Sequence, residues 1–158
     1  MGDHTETLQI DFDPDQITYD EILQVFWDSH NPRASSWSKQ YMNILFFHDK
    51  DQEQLTRQTK TSIEKQLGSK VHTEIEPFTN FYLAEDYHQK YYLQKNKQLM
   101  KELERDYDSF QDFIDSTTAA RLNGYAAGHG DRDSLEKDLA VLGLSQDTAD
   151  WLRSRIRR

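Results

Sequence analysis

The stretch YMNILFFH, residues 41–48, is a nearly continuous apolar run, and it decides the fold. Residues 44–47 are Ile, Leu, Phe and Phe, with no polar residue among them. An apolar run of this length is typical of a central β-strand that is covered on both faces. We therefore predict a strand over residues 42–48 at the centre of a sheet.

A helix and a second strand are predicted on the N-terminal side of this run. Thr18 and Glu21 have the T-x-x-E spacing of a capping box, which marks the start of a helix. The helix is expected to end before Pro32, because the residue that precedes a proline avoids the helical conformation. Apolar and polar residues alternate over residues 8–12, which predicts the second strand.

The segments after the run continue the alternation of helices and strands. Residues 51–67 are polar with sparse apolar positions and end at Gly68, as in a solvated surface helix with a glycine stop. Alternation over residues 71–76 predicts a third strand. Residues 84–107 follow as one long predicted helix.

Two short helices are predicted near the C-terminus. Asp133 with Glu136 has the pattern of one helix start, and Gly143 has that of its end. Ser145 opens the other helix. Strands joined by helical crossovers predict an α/β fold class, of the α+β two-layer kind, followed by a helical C-terminal extension.

The composition excludes several classes of function. The chain has 158 residues and a net charge of −9, and a surface of this sign repels nucleic acids and anionic lipids. No apolar run approaches the ~18 residues that a membrane-spanning helix needs, so we expect a cytoplasmic protein without a membrane partner. The chain has no cysteine, which excludes disulfides, thiolate zinc sites and cysteine nucleophiles within it.

No metal site is predicted. DFDPD, residues 11–15, resembles the start of a calcium loop, but Gln16 stands where that loop needs glycine and Ile22 where it needs a bidentate glutamate. Five of the six histidines are considered as ligands, and none has the spacing at which two neighbours on a helix bind one metal ion. They are interpreted as structural or surface residues: His4, His30, His48, His72 and His88.

Aromatic residues cluster in two places without deciding a function. Tyr87 and Tyr91 are one helical turn apart, and His88 and Tyr92 have the same spacing. Aromatic residues at helical spacing are usually core residues. Tyr41 lies at the mouth of the apolar strand, where its hydroxyl can face a pocket or where it is simply a strand residue. Spacing alone leaves both alternatives open.

Four stretches in register resemble the peptide methionine sulfoxide reductases of the A type, the MsrA family. The resemblance runs from about Gly2 to Lys95, and AARLNGYAAGHG further on resembles the C-terminal extension of some members. It implies an MsrA-like domain over residues 1–105, with a mixed sheet and helices, and a helical extension over residues 106–158. The stretches are GDHTETLQIDFDP, ITYDEILQVFWDSHNP, SWSKQYMNILFFHDKDQ and TEIEPFTNFYLAEDYHQKYYLQK.

The resemblance also implies a site and an activity. The family repairs oxidised methionine in proteins, and often the free amino acid, by attack of a cysteine thiolate on the sulfoxide. The matching positions make Glu6 the acid that protonates the sulfoxide oxygen and Tyr41 the hydrogen-bond donor to it. Substrate-binding positions are Gln40, Tyr87 and His88. No bound cofactor is implied, but a thiol reductant is, namely thioredoxin or a similar protein.

The chain departs from the family pattern at the nucleophile. The family places it in a glycine-cysteine-phenylalanine-tryptophan segment some tens of residues before the position of GDHTE, and Ser36 stands where many members have an acidic residue. We expect that such a segment is encoded upstream of Met1, for instance with a stop-like codon read as selenocysteine, that it is lost, or that it was deliberately removed.

Three hypotheses about function follow. The first is a methionine sulfoxide reductase domain that is inactive as this chain, because no residue replaces the thiolate. Its incomplete sheet is expected to expose an edge or an apolar face and to favour self-association. The second is a catalytically silent MsrA-like module for binding or interaction. The third is an enzyme of other chemistry that uses Glu6, Tyr41 and His88 as acid–base groups.

Overall fold

The computed structural model describes residues 4–156 of the chain. They divide into two compact units, an N-terminal unit, Met1–Phe81, and a C-terminal unit, Tyr82–Arg158. Within the described residues, no helix combines the length and the apolar character needed to cross a membrane. The predicted boundary near residue 105, between a family domain and an extension, stays a prediction.

A β-α-β motif forms the centre of the N-terminal unit. Its two strands lie side by side in parallel, with Ile44 opposite Glu74 and Phe46 opposite Glu76. Parallel neighbours need a crossover connection, and a long helix supplies it. The elements are helix α1 (Tyr19–Asp28), a 3₁₀ turn (Lys39–Tyr41), strand β1 (Ile44–Phe47), helix α2 (Lys50–Leu67) and strand β2 (Glu74–Pro77).

The ends of the two N-terminal helices follow the sequence signals. The Thr18 hydroxyl accepts a hydrogen bond from the Glu21 amide, and the Thr18 amide donates to the Glu21 carboxylate at 2.8 Å, so the predicted capping box of α1 is confirmed. Asp49 accepts from the Gln52 amide at the start of α2. Helix α2 ends at Gly68, as predicted, with a φ of 59° that glycine adopts without strain.

The helices cover only one face of the two-stranded sheet. Leu23 and Trp27 of α1 are buried with Val71, and Leu45 of β1 packs against this cluster. Alternate side chains point to opposite faces of a strand, so Ile44 and its neighbours at even positions point away from the helices. All four residues of β1 are only half-buried, and the prediction of a strand covered on both faces is therefore wrong.

The strand predicted over residues 8–12 does not form. These residues have no regular secondary structure, and Leu8 and Ile10 are 80% and 52% exposed. Alternation predicts a strand only where a neighbouring edge supplies hydrogen-bond partners. Phe12 finds a packing partner without one, because its ring stacks on that of Tyr19 at a centroid distance of 6.4 Å.

All regular secondary structure over residues 82–156 of the C-terminal unit is helical. Its buried core is mostly leucine, including Leu93, Leu99, Leu122 and Leu152. Together the two units give an α+β fold with a helical extension, as the sequence predicts. The helices are α3 (Tyr91–Gln94), α4 (Lys97–Leu103), α5 (Phe110–Asp115), α6 (Thr117–Ala127), α7 (Arg132–Leu142) and α8 (Gln146–Arg155), with 3₁₀ turns at Asp86–His88 and Glu104–Asp106.

The single long helix predicted over residues 84–107 is wrong. Lys90 has a φ of 48°, in the left-handed region, which separates the 3₁₀ turn from α3. Asn96 then accepts hydrogen bonds from the amides of Gln98 and Leu99 and begins a new helix. A short polar side chain that binds nearby amides competes with helix continuation, and this competition breaks the segment.

Two signals near the C-terminus are confirmed and one is displaced. Gly143 ends α7 with a φ of 59°, and Ser145 caps α8 by accepting from the Thr148 amide. Helix α7 is capped by Asp131, which accepts from the Ser134 amide at 2.8 Å, and so it begins before the predicted Asp133.

Glu102 joins α4 to the start of α8. Its carboxylate accepts from the Ser145 amide at 2.8 Å, the Ser145 hydroxyl at 2.6 Å and the Thr148 hydroxyl at 2.8 Å. Desolvation raises the pKa of Glu102. The hydrogen bonds from these donors and from the Gln98 side-chain amide, at 3.3 Å, outweigh desolvation and bring the pKa to about 2.

This depressed pKa predicts a pH-dependent contribution to stability. The folded-state pKa lies below the ordinary glutamate value of 4.5, so the contribution is present above that pH and is lost as the pH falls through about 2. Glu102→Gln should lower the free energy of unfolding near neutral pH by about 1 kcal/mol, as for a lost helix cap. It should also flatten the acid limb of the stability curve, measured by denaturant unfolding at several pH values. The control Glu104→Gln, at an exposed position, should change neither, and equal effects of the two variants would contradict the assignment.

Candidate functional site

Reciprocal hydrogen bonds hold the segment around Glu6 against the turn that carries Tyr41. The Glu6 amide donates to the Gln40 carbonyl at 3.0 Å, and the Gln40 side-chain amide donates to Glu6 Oε1 at 2.9 Å. The Thr5 hydroxyl donates to the Lys39 carbonyl at 2.9 Å. Three predicted site residues, Glu6, Gln40 and Tyr41, are thereby brought together within the N-terminal unit.

The turn itself is shaped by the serines that precede it. The Ser36 hydroxyl donates to the Ser38 carbonyl at 2.9 Å and accepts from the Ser38 amide at 3.1 Å. The Tyr41 amide then donates to the Ser38 carbonyl at 3.3 Å and closes the 3₁₀ turn. The Ser36 position therefore has a local structural role in this chain.

Tyr41 offers an available hydrogen-bond donor. Its side chain is 61% exposed at the end of the turn. Its hydroxyl has no hydrogen-bond partner among residues 4–156. A neutral phenol in this state can donate to an oxygen that carries partial negative charge.

Glu6 is oriented but exposed. One carboxylate oxygen accepts from Gln40, which leaves the other oxygen accessible. A carboxyl group acts as an acid near neutrality most readily inside an apolar pocket, because burial disfavours its charged form. The described part of the chain does not enclose Glu6 in such a pocket. Gln40, predicted to bind substrate, uses its side-chain amide to position Glu6.

Tyr87 and His88 lie in the C-terminal unit. They share the 3₁₀ turn Asp86–His88, and their rings are tilted against each other at a centroid distance of 4.1 Å. His88 Nε2 lies 3.8 Å from a carboxylate oxygen of Glu85, with both side chains largely exposed. The role of Tyr87 and His88 in a substrate site with Glu6 stays a prediction.

A groove that the sequence did not predict lies on the uncovered face of the sheet. It has a volume of about 520 Å³, and its floor is formed by Met42, Ile44 and Phe46. Glu74 and Glu76 line it from the neighbouring strand. The alternation of Val71, Thr73 and Ile75 carried the missing signal, because residues between inward-facing positions must point the other way. Thr5 and Lys39, the sequence neighbours of Glu6 and Gln40, also line the groove, so the groove borders the two segments that carry these residues.

No metal-binding group is found within residues 4–156, where no three His, Cys, Asp or Glu side chains are arranged to hold an ion. The residues brought together at Glu6 therefore provide an acid, a phenol and an amide. Of these groups, the Tyr41 phenol is the one that can donate a hydrogen bond to a polar oxygen atom without losing a partner within residues 4–156.

Comparison with known proteins decides the family. Residues 1–121 match the family described as peptide methionine sulfoxide reductase. The chain belongs to this family. A peptide methionine sulfoxide reductase of Drosophila melanogaster is 37% identical over 147 residues, which are 92% of this chain and 58% of that protein.

Two further relatives extend the comparison. The peptide methionine sulfoxide reductase MsrA of Sulfolobus acidocaldarius is 39% identical over 94 residues, 56% of this chain and 53% of its own length. Peptide methionine sulfoxide reductase A5 of Oryza sativa subsp. japonica is 35% identical over 133 residues, 80% of this chain and 52% of its own. The resemblance to the MsrA family is confirmed, and the chain spans about half the length of these relatives.

The contact between Gln40 and Glu6 predicts that Gln40 orders the segment that carries the acid. Gln40→Ala should accelerate hydrogen exchange of the Glu6 backbone amide roughly five-fold, because losing a hydrogen bond of about 1 kcal/mol makes local opening easier. The control is Gln9→Ala, on the same segment and without a side-chain partner among the described residues. Equal exchange rates in the two variants would show that Gln40 does not hold Glu6.

Proposed function

We propose that this chain carries the acid and donor part of a methionine sulfoxide site. Glu6 is the acid and Tyr41 is the donor, and both act on the sulfoxide oxygen. The observation that supports this proposal is the reciprocal pair of hydrogen bonds that aligns Glu6 with the turn of Gln40 and Tyr41. Family membership supports this substrate class.

The reduction requires a group that the chain does not contain. A thiolate attacks the sulfoxide sulfur, and oxygen moves to the thiol sulfur, which is oxidised to a sulfenic acid while the methionine becomes a thioether again. A proton from Glu6 and a hydrogen bond from Tyr41 would stabilise the negative charge that develops on the oxygen. The sequence has no cysteine, so the thiolate must come from outside these 158 residues.

The expected ligands and protein partners follow from the separation of Glu6 and Tyr41 from the thiolate. The ligands are oxidised methionine residues in proteins or free methionine sulfoxide. A thiol reductant of the thioredoxin kind regenerates the thiol in the full reaction. Within this chain alone, the expected activity is weak binding of the sulfoxide without turnover.

The absence of a thiol predicts that the purified chain has no reductase activity. With methionine S-sulfoxide peptide and dithiothreitol, formation of methionine should equal that of a heat-denatured sample, because no protein thiolate concentrates the attack at the bound sulfoxide. Chromatography of the peptide measures it. Turnover above that background that Tyr41→Phe abolishes would overturn the mechanistic argument.

Binding is the positive prediction. In two-dimensional NMR spectra of the chain, a peptide with methionine S-sulfoxide should shift the amide signals of Glu6 and Tyr41, and the methionine form should not. Tyr41→Phe should weaken binding roughly five-fold, as expected for about 1 kcal/mol from one hydrogen bond. Tyr91→Phe, in the C-terminal unit, is the matched control. Equal response to the oxidised and reduced peptides would contradict the proposal.

A further inference from the structure

The groove on the uncovered sheet face has an apolar floor with negatively charged side chains beside it. Met42, Ile44 and Phe46 form the floor, and all three are half-buried. Glu74 and Glu76 are exposed along one side. Neither carboxylate has a hydrogen-bond or ion-pair partner within residues 4–156. Lys39 is the one cation among the described residues of the groove lining, so the two carboxylates leave the lining with a net charge of −1. A surface of this kind attracts a ligand that is apolar in part and carries positive charge.

The spacing of the two carboxylates suits an extended peptide. Glu74 and Glu76 are two positions apart on β2, so their side chains leave the same face about 6.5 Å apart along the strand. Alternate side chains of an extended peptide have the same repeat. Two cationic side chains on one side of such a peptide can therefore meet both carboxylates at once.

The groove adjoins the two segments that carry the site of the proposed function. Thr5 and Lys39 line the groove, and they are the immediate neighbours of Glu6 and Gln40. Their own hydrogen bond, at 2.9 Å, closes the contact between the two segments. A peptide that presents an oxidised methionine to Glu6 and Tyr41 can therefore place its flanking residues in the groove.

We propose that this groove binds the residues that flank an oxidised methionine and selects peptides with lysine or arginine there. The proposal rests on the proposed function of the Glu6 and Tyr41 site and adds a substrate preference to it. Glu74 and Glu76 are the residues that determine the preference. The contacts are exposed to solvent, so the preference weakens as ionic strength rises.

The test compares short synthetic peptides that differ only at the flanks. Each has a central methionine S-sulfoxide with lysine, serine or glutamate on both sides, and each has a reduced counterpart. Binding to the full chain is measured by fluorescence anisotropy of a labelled peptide. The lysine peptide should bind about two- to five-fold more tightly per lysine than the serine peptide, and the glutamate peptide more weakly.

Two double variants separate the groove from the overall charge. Glu74→Gln with Glu76→Gln should abolish the preference for lysine. Asp11→Asn with Asp15→Asn removes the same charge from an exposed segment outside the groove lining and should leave the preference intact. Glu76→Lys should shift the preference toward the glutamate peptide. Salt at roughly 0.5 M should reduce the flank preference of every form of the chain that shows one.

The outcomes distinguish the two proposals. Oxidised peptides that bind better than reduced ones but equally for all flanks would overturn the preference and leave the proposed function standing. A lysine preference that survives Glu74→Gln with Glu76→Gln would also overturn it. No difference between oxidised and reduced peptides would count against the proposed function itself. A dimer in light scattering that protects Ile44 and Phe46 from hydrogen exchange would overturn the peptide proposal, because a second copy would then fill the groove.

Discussion

The parallel pairing of β1 with β2 fixes which side chains of the two strands face the helices and which face the groove. Leu45 and Ile75 are opposite each other in the pair, and they face the helices. The register then requires Ile44 to share the other face with Glu74. A shift of one residue would bury both glutamates against Trp27 and Leu23 at a high cost in desolvation. The register therefore determines both the core and the groove.

The same constraint explains how the acid-bearing segment is held without a strand of its own. The 3₁₀ turn Lys39–Tyr41 leads directly into β1, so its position follows from that of the sheet. Thr5 and Glu6 attach to carbonyl groups of this turn, and Gln40 returns a side-chain bond to Glu6. Three hydrogen bonds thereby replace the strand pairing that the alternating sequence around Leu8 predicts.

Local signals in the sequence were reliable where a few neighbouring residues decide the structure. The capping box at Thr18 and the glycine stops at Gly68 and Gly143 were all predicted, because each depends on side chains within one helical turn. The strand at residues 8–12 and the long helix at residues 84–107 failed because they depend on long-range partners or on competing caps. Lys90 and Asn96 interrupt that helix in a way that its apolar spacing does not reveal.

The site shows a similar division. The family resemblance implies that Glu6, Gln40 and Tyr41 belong to one site. It could not show the hydrogen bond by which Gln40 orients Glu6, and that shared site stays a prediction. The groove was missed because its signal is the outward half of a strand pattern. Residues that point away from the core are ordinarily solvated. They do not indicate a binding surface until the face on which they lie is known to be uncovered by other elements. Only the one-sided packing of α1 and α2 gives Glu74 and Glu76 their significance.

The exposure of Glu6 has a consequence for any thiol that meets this chain. A carboxyl group donates a proton efficiently near neutrality when burial disfavours its charged form, and water around an open site weakens every electrostatic contribution from Tyr41. A protein surface that carries the thiol and also covers Glu6 would therefore supply two things at once, a thiolate and a medium of low polarity. The two requirements are physically coupled, because the medium that favours a protonated acid also strengthens the hydrogen bonds to the developing negative charge on the sulfoxide oxygen. A small soluble thiol meets only the first of them. In the proposed function, binding of the sulfoxide needs only an oriented donor, and the exposed Tyr41 hydroxyl can supply it without a cover over the site.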